Sequence, residues 1–318
     1  MTSVRLIANN PLDQLQVAAA HEVGVLPRQA ACLMYGEGRV RAQLGARRWA
    51  APARGVVVTH NGPLSVDQRM WVALFAAPPG TLLGGLTALR LGGLREFDDE
   101  GLTLVVPAST YTPSRAQLGL PGDWRVKLRW STKLGVEDVS PHVAPPRTRP
   151  ARSVVDAASE RISSRRARVL VLAPVQQRMV QPQALWDALS RRGRCRNRKI
   201  IAESILDAAG GVDSLPEGDF DQICRRAGLP EPSRQVVLPR RDGRYYLDRK
   251  WARLGVCAEV HGIPHSEVRN WDNDLLRQND IAIEGGGLLV FSSYAIRHLA
   301  DRVQSQLVNM FRNRGWRG

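Results

Sequence analysis

The sequence predicts an α+β chain of several domains: a helical N-terminal unit closed by a hairpin, a mixed middle region, and a C-terminal α/β sandwich. Three observations carry that prediction. A length of 318 residues suffices for two or three separate cores. A hydrophobic fraction of 43% with eight Trp argues for folded structure. The apolar pattern also changes period along the chain, from helical spacing at Leu12, Leu15 and Ala19 to two-residue alternation at Val256–His261. The expected segments are 12–62, 63–150, a helical connector over 151–210, and 211–318.

Within the first segment, Gly24 ends the opening helix and Pro27 suits the first turn of a second, Arg28 to about Met34. Gly36 and Gly38 punctuate, and Arg39–Leu44 forms a short third helix. Trp49 and the β-branched run Val56–Thr59 then predict two strands, with Pro52 and Gly55 near their turn. Helix, helix, arginine-bearing helix and wing is the order of a winged helix-turn-helix. In that arrangement Arg39, Arg41, Arg47 and Arg48 face DNA.

The middle segment predicts helices at Val66–Ala76 and Leu82–Leu91 and strands at Leu102–Val106 and Trp124–Trp130. Pro141–Pro150, with four prolines, reads as an exposed connector. In the helical region that follows, Val154, Ala157 and Ala158 pack one face. The tract Arg191–Lys199 is the densest positive cluster, and its Arg194, Arg196 and Arg198 are candidate phosphate contacts. A solvated helix junction explains the same tract, and both readings stand.

In the last segment, Ser214-Leu215-Pro216-Glu217 fits a capping box opening a helix to about Ala227. Strands follow at Gln235–Leu238, Arg244–Trp251 and Gly255–Gly262. In the third, Val256, Ala258 and Val260 point one way, and Cys257, Glu259 and His261 the other. Asp248 on the preceding strand joins Glu259 if the hairpin register allows. Two converging carboxylates repel unless a cation lies between them, and Mg²⁺ (or Mn²⁺) fits, with Glu217 as a third carboxylate. His261 and His265 are candidates for proton transfer. Each residue also has a plain structural role open to it: a cap, a strand end, a packed imidazole.

Lys and Arg total 45 against 30 Asp and Glu, a net charge of +15. That excess favours a polyanion, with nucleic acid the commonest; a uniformly basic surface is the alternative. Cys32, Cys195, Cys224 and Cys257 form no C-x-x-C pair and read as reduced thiols in a cytoplasmic protein. The N-terminus has no signal-peptide pattern, and no apolar run is long enough for a bilayer.

Tyr246-Leu247-Asp248, then Ala258-Glu259-Val260-His261-Gly262 with His265, resembles the very-short-patch repair (Vsr-like) endonucleases of the PD-(D/E)XK superfamily. The resemblance covers about Gly211 to Trp316. It implies a restriction-endonuclease-like fold with Glu217, Asp248 and Glu259 as metal ligands. Asp274 and Arg277 fall on the next helix, and Leu288–Phe291 is the closing strand. His261 stands where the superfamily carries a lysine or aspartate, and Arg249-Lys250 puts charge where relatives often have apolar or acidic residues. Arg39–Gly45 running into Trp49 and Arg54–Val57, with Pro150–Asp156, is similar to AbiEi-type antitoxins of toxin–antitoxin systems. Two functions follow. One is a Mg²⁺-dependent DNA endonuclease targeted by a winged helix. The other is a non-catalytic antitoxin-like repressor with a degenerate nuclease domain, partnered by a cognate toxin or by a second copy. RNA stays open as the nucleic acid bound.

Overall fold

The computed structural model describes residues 11–97, 101–107, 116–209, 216–239, 245–261, 275–276, 278–280, 282–283 and 287–318. For 11–13, 234–239, 245–248 and 261 it describes the backbone alone. The fold is α+β with small sheets, and no helix among the described residues is long and apolar enough to cross a membrane. Two compact units emerge: residues up to Ala157 with Asp187–Arg194, and Ala158–Trp186 with Cys195–Gly318. The segments 12–62 and 63–150 both lie in the first unit, whereas 151–210 is divided between the two.

The first unit opens with α1 (Pro11–Glu22), β1 (Val25–Pro27), α2 (Arg28–Tyr35), α3 (Glu37–Gly45), β2 (Ala50–Ala53) and β3 (Val56–Val58). The strands form an antiparallel sheet ordered β1-β3-β2. Strand β1 had no signal of its own, being three residues ending in a proline. Gly36 alone separates α2 from α3; its φ of +84° lets the chain reverse there without a Cβ penalty. Gly38, expected to punctuate, lies inside α3. The run Val56-Val57-Val58 is buried on both sides. Val57 packs with its strand partner Leu26 and with Val17, Ala30, Ala31 and Val40 of the helical layer. Val56 and Val58 pack instead with Val25, Met70, Trp71 and Leu104. The N-terminal sheet therefore shares its second core with the middle region.

That second core is roofed by α4 (Val66–Ala76), whose start is closed by a reciprocal cap between Ser65 and Gln68. Strands β4 (Leu82–Leu83), β5 (Leu102–Pro107) and β6 (Val126–Ser131) form a sheet ordered β4-β5-β6, with β5 and β6 parallel. The predicted helix at 82–91 divides into β4 and α5 (Gly85–Leu91). The segment 141–150 is not the exposed connector expected from its prolines. Pro146 O accepts from Leu83 N at 2.9 Å, and Thr148 N donates to Leu83 O at 2.9 Å. Proline cannot donate to a ladder but its carbonyl accepts normally, so the segment lies half-buried along β4.

Helix α6 (Pro150–Ala158) carries Arg152, only 1% exposed. Its guanidinium donates Nε to Asp156 at 2.7 Å, Nη1 to Asp138 at 2.7 Å and to Lys133 O at 2.5 Å, and Nη2 to Ser131 Oγ at 2.9 Å. Asp138 is 1% exposed and also accepts from Arg191 Nη2 at 3.1 Å, while Asp156 accepts from Arg192 Nε at 3.0 Å.

The second unit contains α7 (Ser164–Gln176), the start of α8 (Pro182–Arg192), α9 (Arg198–Ala209) and α10 (Glu217–Arg226). Strands β7 (Arg234–Pro239), β8 (Tyr245–Trp251), β9 (Val256–His261) and β10 (Leu288–Ser292) form one sheet in sequence order. Strands β7, β8 and β9 run as an antiparallel meander, and β10 pairs parallel to β9. The chain closes with α11 (Ser293–His298) and α12 (Ala300–Asn313). Alternation puts Trp251, Val256, Ala258, Val260, Leu289 and Phe291 on the buried face, against Phe220 and Ile223 of α10 and Val303, Leu307, Met310 and Phe311 of α12. Val303, Leu307, Met310 and Phe311 form one buried apolar stripe along α12. At the β10 edge, Asn279 accepts from Val290 N and donates to Val290 O, both at 2.8 Å, so a side-chain amide satisfies that backbone rung.

Removing Arg152 strands a buried carboxylate. Arg152→Ala is expected to cost about 3–5 kcal/mol of unfolding free energy, measured by urea denaturation. Arg152→Lys should recover only part of that, because an ammonium does not reproduce the planar fork.

Candidate nucleic-acid interface and acidic rung

Helix α3 buries Val40 and leaves the rest of Glu37–Ala42 exposed. Arg39 and Arg41 stand on that exposed stretch, and Arg47 and Arg48 are exposed on the turn that follows. Arg54 is exposed at the β2–β3 tip beside Gly55, whose φ is +73°. Two of these arginines are pre-positioned: Arg39 lies over the Tyr35 ring at 5.7 Å, and Arg41 bonds Glu37 at 2.8 Å. Tyr35 is itself held, its hydroxyl 2.6 Å from His21 Nε2 and its ring edge-on to Trp49 at 5.3 Å. The four arginines expected at this surface are thus displayed on one helix and its following turn. Arg54 is the one the pattern missed, and its place at a hairpin tip was the available signal.

The acidic constellation is a matter of register. Asp248 on β8 pairs directly with Glu259 on β9, so the hairpin register on which their meeting depended is the observed one. On the other side, Glu259 pairs with Val290 of β10. Glu259 is half-buried, between inner-face Ala258 and Val260. His261 occupies the last position of β9, opposite Tyr246, and only its backbone is described. His265, with Asp274 and Arg277, lies outside the described residues, as does Ser214. Glu217 does not complete the expected capping box. It is the first residue of α10, after Pro216, where a carboxylate meets the positive end of the helix dipole. Among the described residues no group of three or more His, Cys, Asp or Glu stands together.

The two charges that follow Asp248 divide between the faces of the sheet. Arg249 turns inward, 1% exposed, and its Nη2 donates to Asp221 of α10 at 3.0 Å. That ion pair ties the helix bearing Glu217 to the strand bearing Asp248. Lys250 is exposed on the opposite face and pairs with Cys257, one step from the Asp248–Glu259 rung. Both residues depart from the pattern of the endonucleases, and the alternation of β8 gives each its place. Burial, reinforced by Asp221, pushes the Cys224 thiol up to about 12.

Of the basic tract, Arg191 and Arg192 serve the internal network around Asp138 and Asp156. Arg194 is exposed at the end of the first unit's portion, and Arg196 and Arg198 are exposed in the second. The tract thus falls into an internal part and a displayed part.

Set beside known families and curated proteins, the chain matches no family model and no curated sequence.

A thiol at about 12 is protonated at neutral pH and a poor nucleophile. Peptide mapping after brief iodoacetamide treatment of the folded protein should find Cys224 unmodified, with full modification after denaturation in guanidinium.

Proposed function

We propose that the chain binds DNA through a winged helix-turn-helix in its first unit and hydrolyses phosphodiester bonds with a PD-(D/E)XK endonuclease-like domain in its second. The observation that carries the reading is the order α1-β1-α2-α3-β2-β3, with α3 and the hairpin tip presenting Arg39, Arg41, Arg47, Arg48 and Arg54 to solvent. A basic helix and basic wing are the chemistry of phosphate contact beside a major groove. RNA would be gripped by the same charge but offers a deep, narrow groove that a helix enters poorly.

The nuclease part is supported by the helix, three-strand meander and parallel closing strand of the second unit, and by the rung that pairs Asp248 with Glu259. Like charges directly opposite in a sheet are unfavourable without a counter-charge. Asp248 and Glu259 would hold Mg²⁺ or Mn²⁺, which when bound polarises a phosphoryl oxygen and acidifies a water. Glu217, expected as the third carboxylate, belongs to α10, which packs on the other face of the sheet, and does not join them. His261 or His265 would take the proton of the attacking water, and the exposed arginines would fix the phosphates. The reading as a non-catalytic, antitoxin-like repressor is favoured by one feature: His261, where the superfamily carries a lysine or aspartate.

Replacing Arg39 and Arg41 together with Ala is expected to weaken duplex binding and to flatten the slope of log K against log salt by about 0.9 for each phosphate no longer neutralised. Fluorescence polarisation across a salt series checks this. Nicking of supercoiled plasmid with Mg²⁺ should disappear in Asp248→Ala and in Glu259→Ala while duplex affinity stays. Wild-type protein that binds DNA but never cuts it with Mg²⁺ or Mn²⁺ leaves the repressor.

A further inference from the structure

Strand β6 lies at the edge of its sheet, with β5 on one side and no strand on the other among the described residues. Its Val126 and Leu128 pack against the core, and Trp130 follows them on the same side of the strand. Trp130 is nevertheless 64% exposed, although it pairs with fully buried Val106. The next residue, Ser131, is buried and receives Nη2 of Arg152 at 2.9 Å, and Lys133 O receives Nη1 of the same guanidinium. This short stretch is therefore anchored to the most buried ion cluster of the unit. The indole is presented by a rigid support, not by a loop tip.

Charge decides what such an indole meets. Between Trp124 and Val136 the chain holds four basic residues, Arg125, Lys127, Arg129 and Lys133, and no acidic one. Arg125, Arg129 and Lys133 are exposed, and Lys127 is half-buried. Lys127 and Arg129 alternate to the side of β6 opposite Trp130, so an exposed ring and a row of cations flank the same open strand edge. Together they supply the two parts of a single-strand nucleic-acid site, a stacking platform and a phosphate-tracking charge. A second copy of the chain fits poorly. Antiparallel pairing of two β6 edges would set lysine and arginine of one copy against those of the other.

We propose that the β6 edge is a binding site for single-stranded nucleic acid, with Trp130 stacking on an unpaired base and the flanking basic residues holding its phosphates. This site is separate from the α3 surface and does not depend on it. A protein with both would grip duplex at one place and an unpaired or displaced strand at another.

The test uses the full chain and fluorescein-labelled oligothymidylate of about 12 nucleotides, a length within usual site sizes, beside a blunt duplex of equal length. Trp130→Ala should weaken oligothymidylate binding about tenfold, the loss of one stacked base, and leave duplex binding unchanged. Trp130→Phe should stay within about threefold, because a phenyl ring still stacks. With unlabelled oligothymidylate, part of the quenching of tryptophan emission should vanish in Trp130→Phe, a readout that holds even if the alanine variant folds poorly. Unchanged single-strand affinity in Trp130→Ala overturns the proposal, as does quenching that is the same in Trp130→Phe. Sedimentation in which Trp130→Ala only converts an assembled protein to monomers also overturns it, and assigns the edge to a copy of the chain. Arg39→Ala with Arg41→Ala should spare oligothymidylate binding, so failure of the duplex reading and failure of this one are distinguishable.

Discussion

The first unit depends on one buried guanidinium. Arg152 reaches from α6 to the end of β6, to the short helical turn Val136–Asp138 and to Asp156 one turn along its own helix. Four bonds from one fork satisfy groups that are distant in sequence, and Arg191 and Arg192 of α8 neutralise the second oxygens of the same two carboxylates. An isolated buried charge costs far more than its attraction returns, so such a cluster is stable only when its hydrogen bonds are met. Here two aspartates and three arginines supply one another. The end of β6 is held in place as a consequence, which is what makes the neighbouring Trp130 a fixed feature of the surface.

The second unit uses the same chemistry. Asp207, 2% exposed, is flanked by Arg297 at 3.1 Å and Arg168 at 3.5 Å, and Arg168 also lies over the Tyr294 ring at 4.7 Å. Desolvation still raises its carboxyl above the usual range, against the pull of both arginines. Arg249 and Asp221 form the corresponding link between sheet and helix. Arginine suits these places because its planar, weakly hydrated fork can be buried and still direct several donors. The basic composition of this chain is thus partly internal, and a count of arginines overstates the charge available to a partner. The arginines of α3, its following turn and the hairpin tip are among those turned outward, as are Arg194, Arg196 and Arg198.

Much of this was legible in the sequence, and the gaps have physical causes. Helices α2, α3 and α4 were marked by proline and glycine punctuation and apolar runs, and β9 by two-residue alternation, all local signals, whereas β10 was expected only from the resemblance. The pairing of Asp248 with Glu259 was a conditional expectation, because register is fixed by long-range packing of Trp251, Val256 and Ala258, not by the turn alone. Strand β1 was missed because three residues carry no period. The docking of segment 141–150 on β4 was missed because proline carbonyls that accept hydrogen bonds leave no trace in composition. Arg191 and Arg192 fell in a tract read as phosphate-contacting or as a solvated junction, and Arg152 carried no reading of its own, since nothing near them in the chain announces Asp138.

The register of β8 and β9 sets Asp248 opposite Glu259, and the charge that compensates such a pair bears on the two functional readings. Opposed carboxylates raise the cost of folding unless positive charge lies near them. A divalent cation is one source. Lys250 is another, two residues from Asp248 along β8, exposed on the face away from the buried Arg249, and a diagonal neighbour of Glu259 through its pairing with Cys257. If the ion supplies the charge, Mg²⁺ stabilises the fold of the wild type and not of a chain lacking either carboxylate, because ligand that binds only the native state adds to stability. If Lys250 supplies it, stability is indifferent to Mg²⁺ and falls when that lysine is neutralised. The first outcome favours the proposed hydrolase and the second the proposed non-catalytic repressor, so the source of one positive charge at this rung separates the two readings.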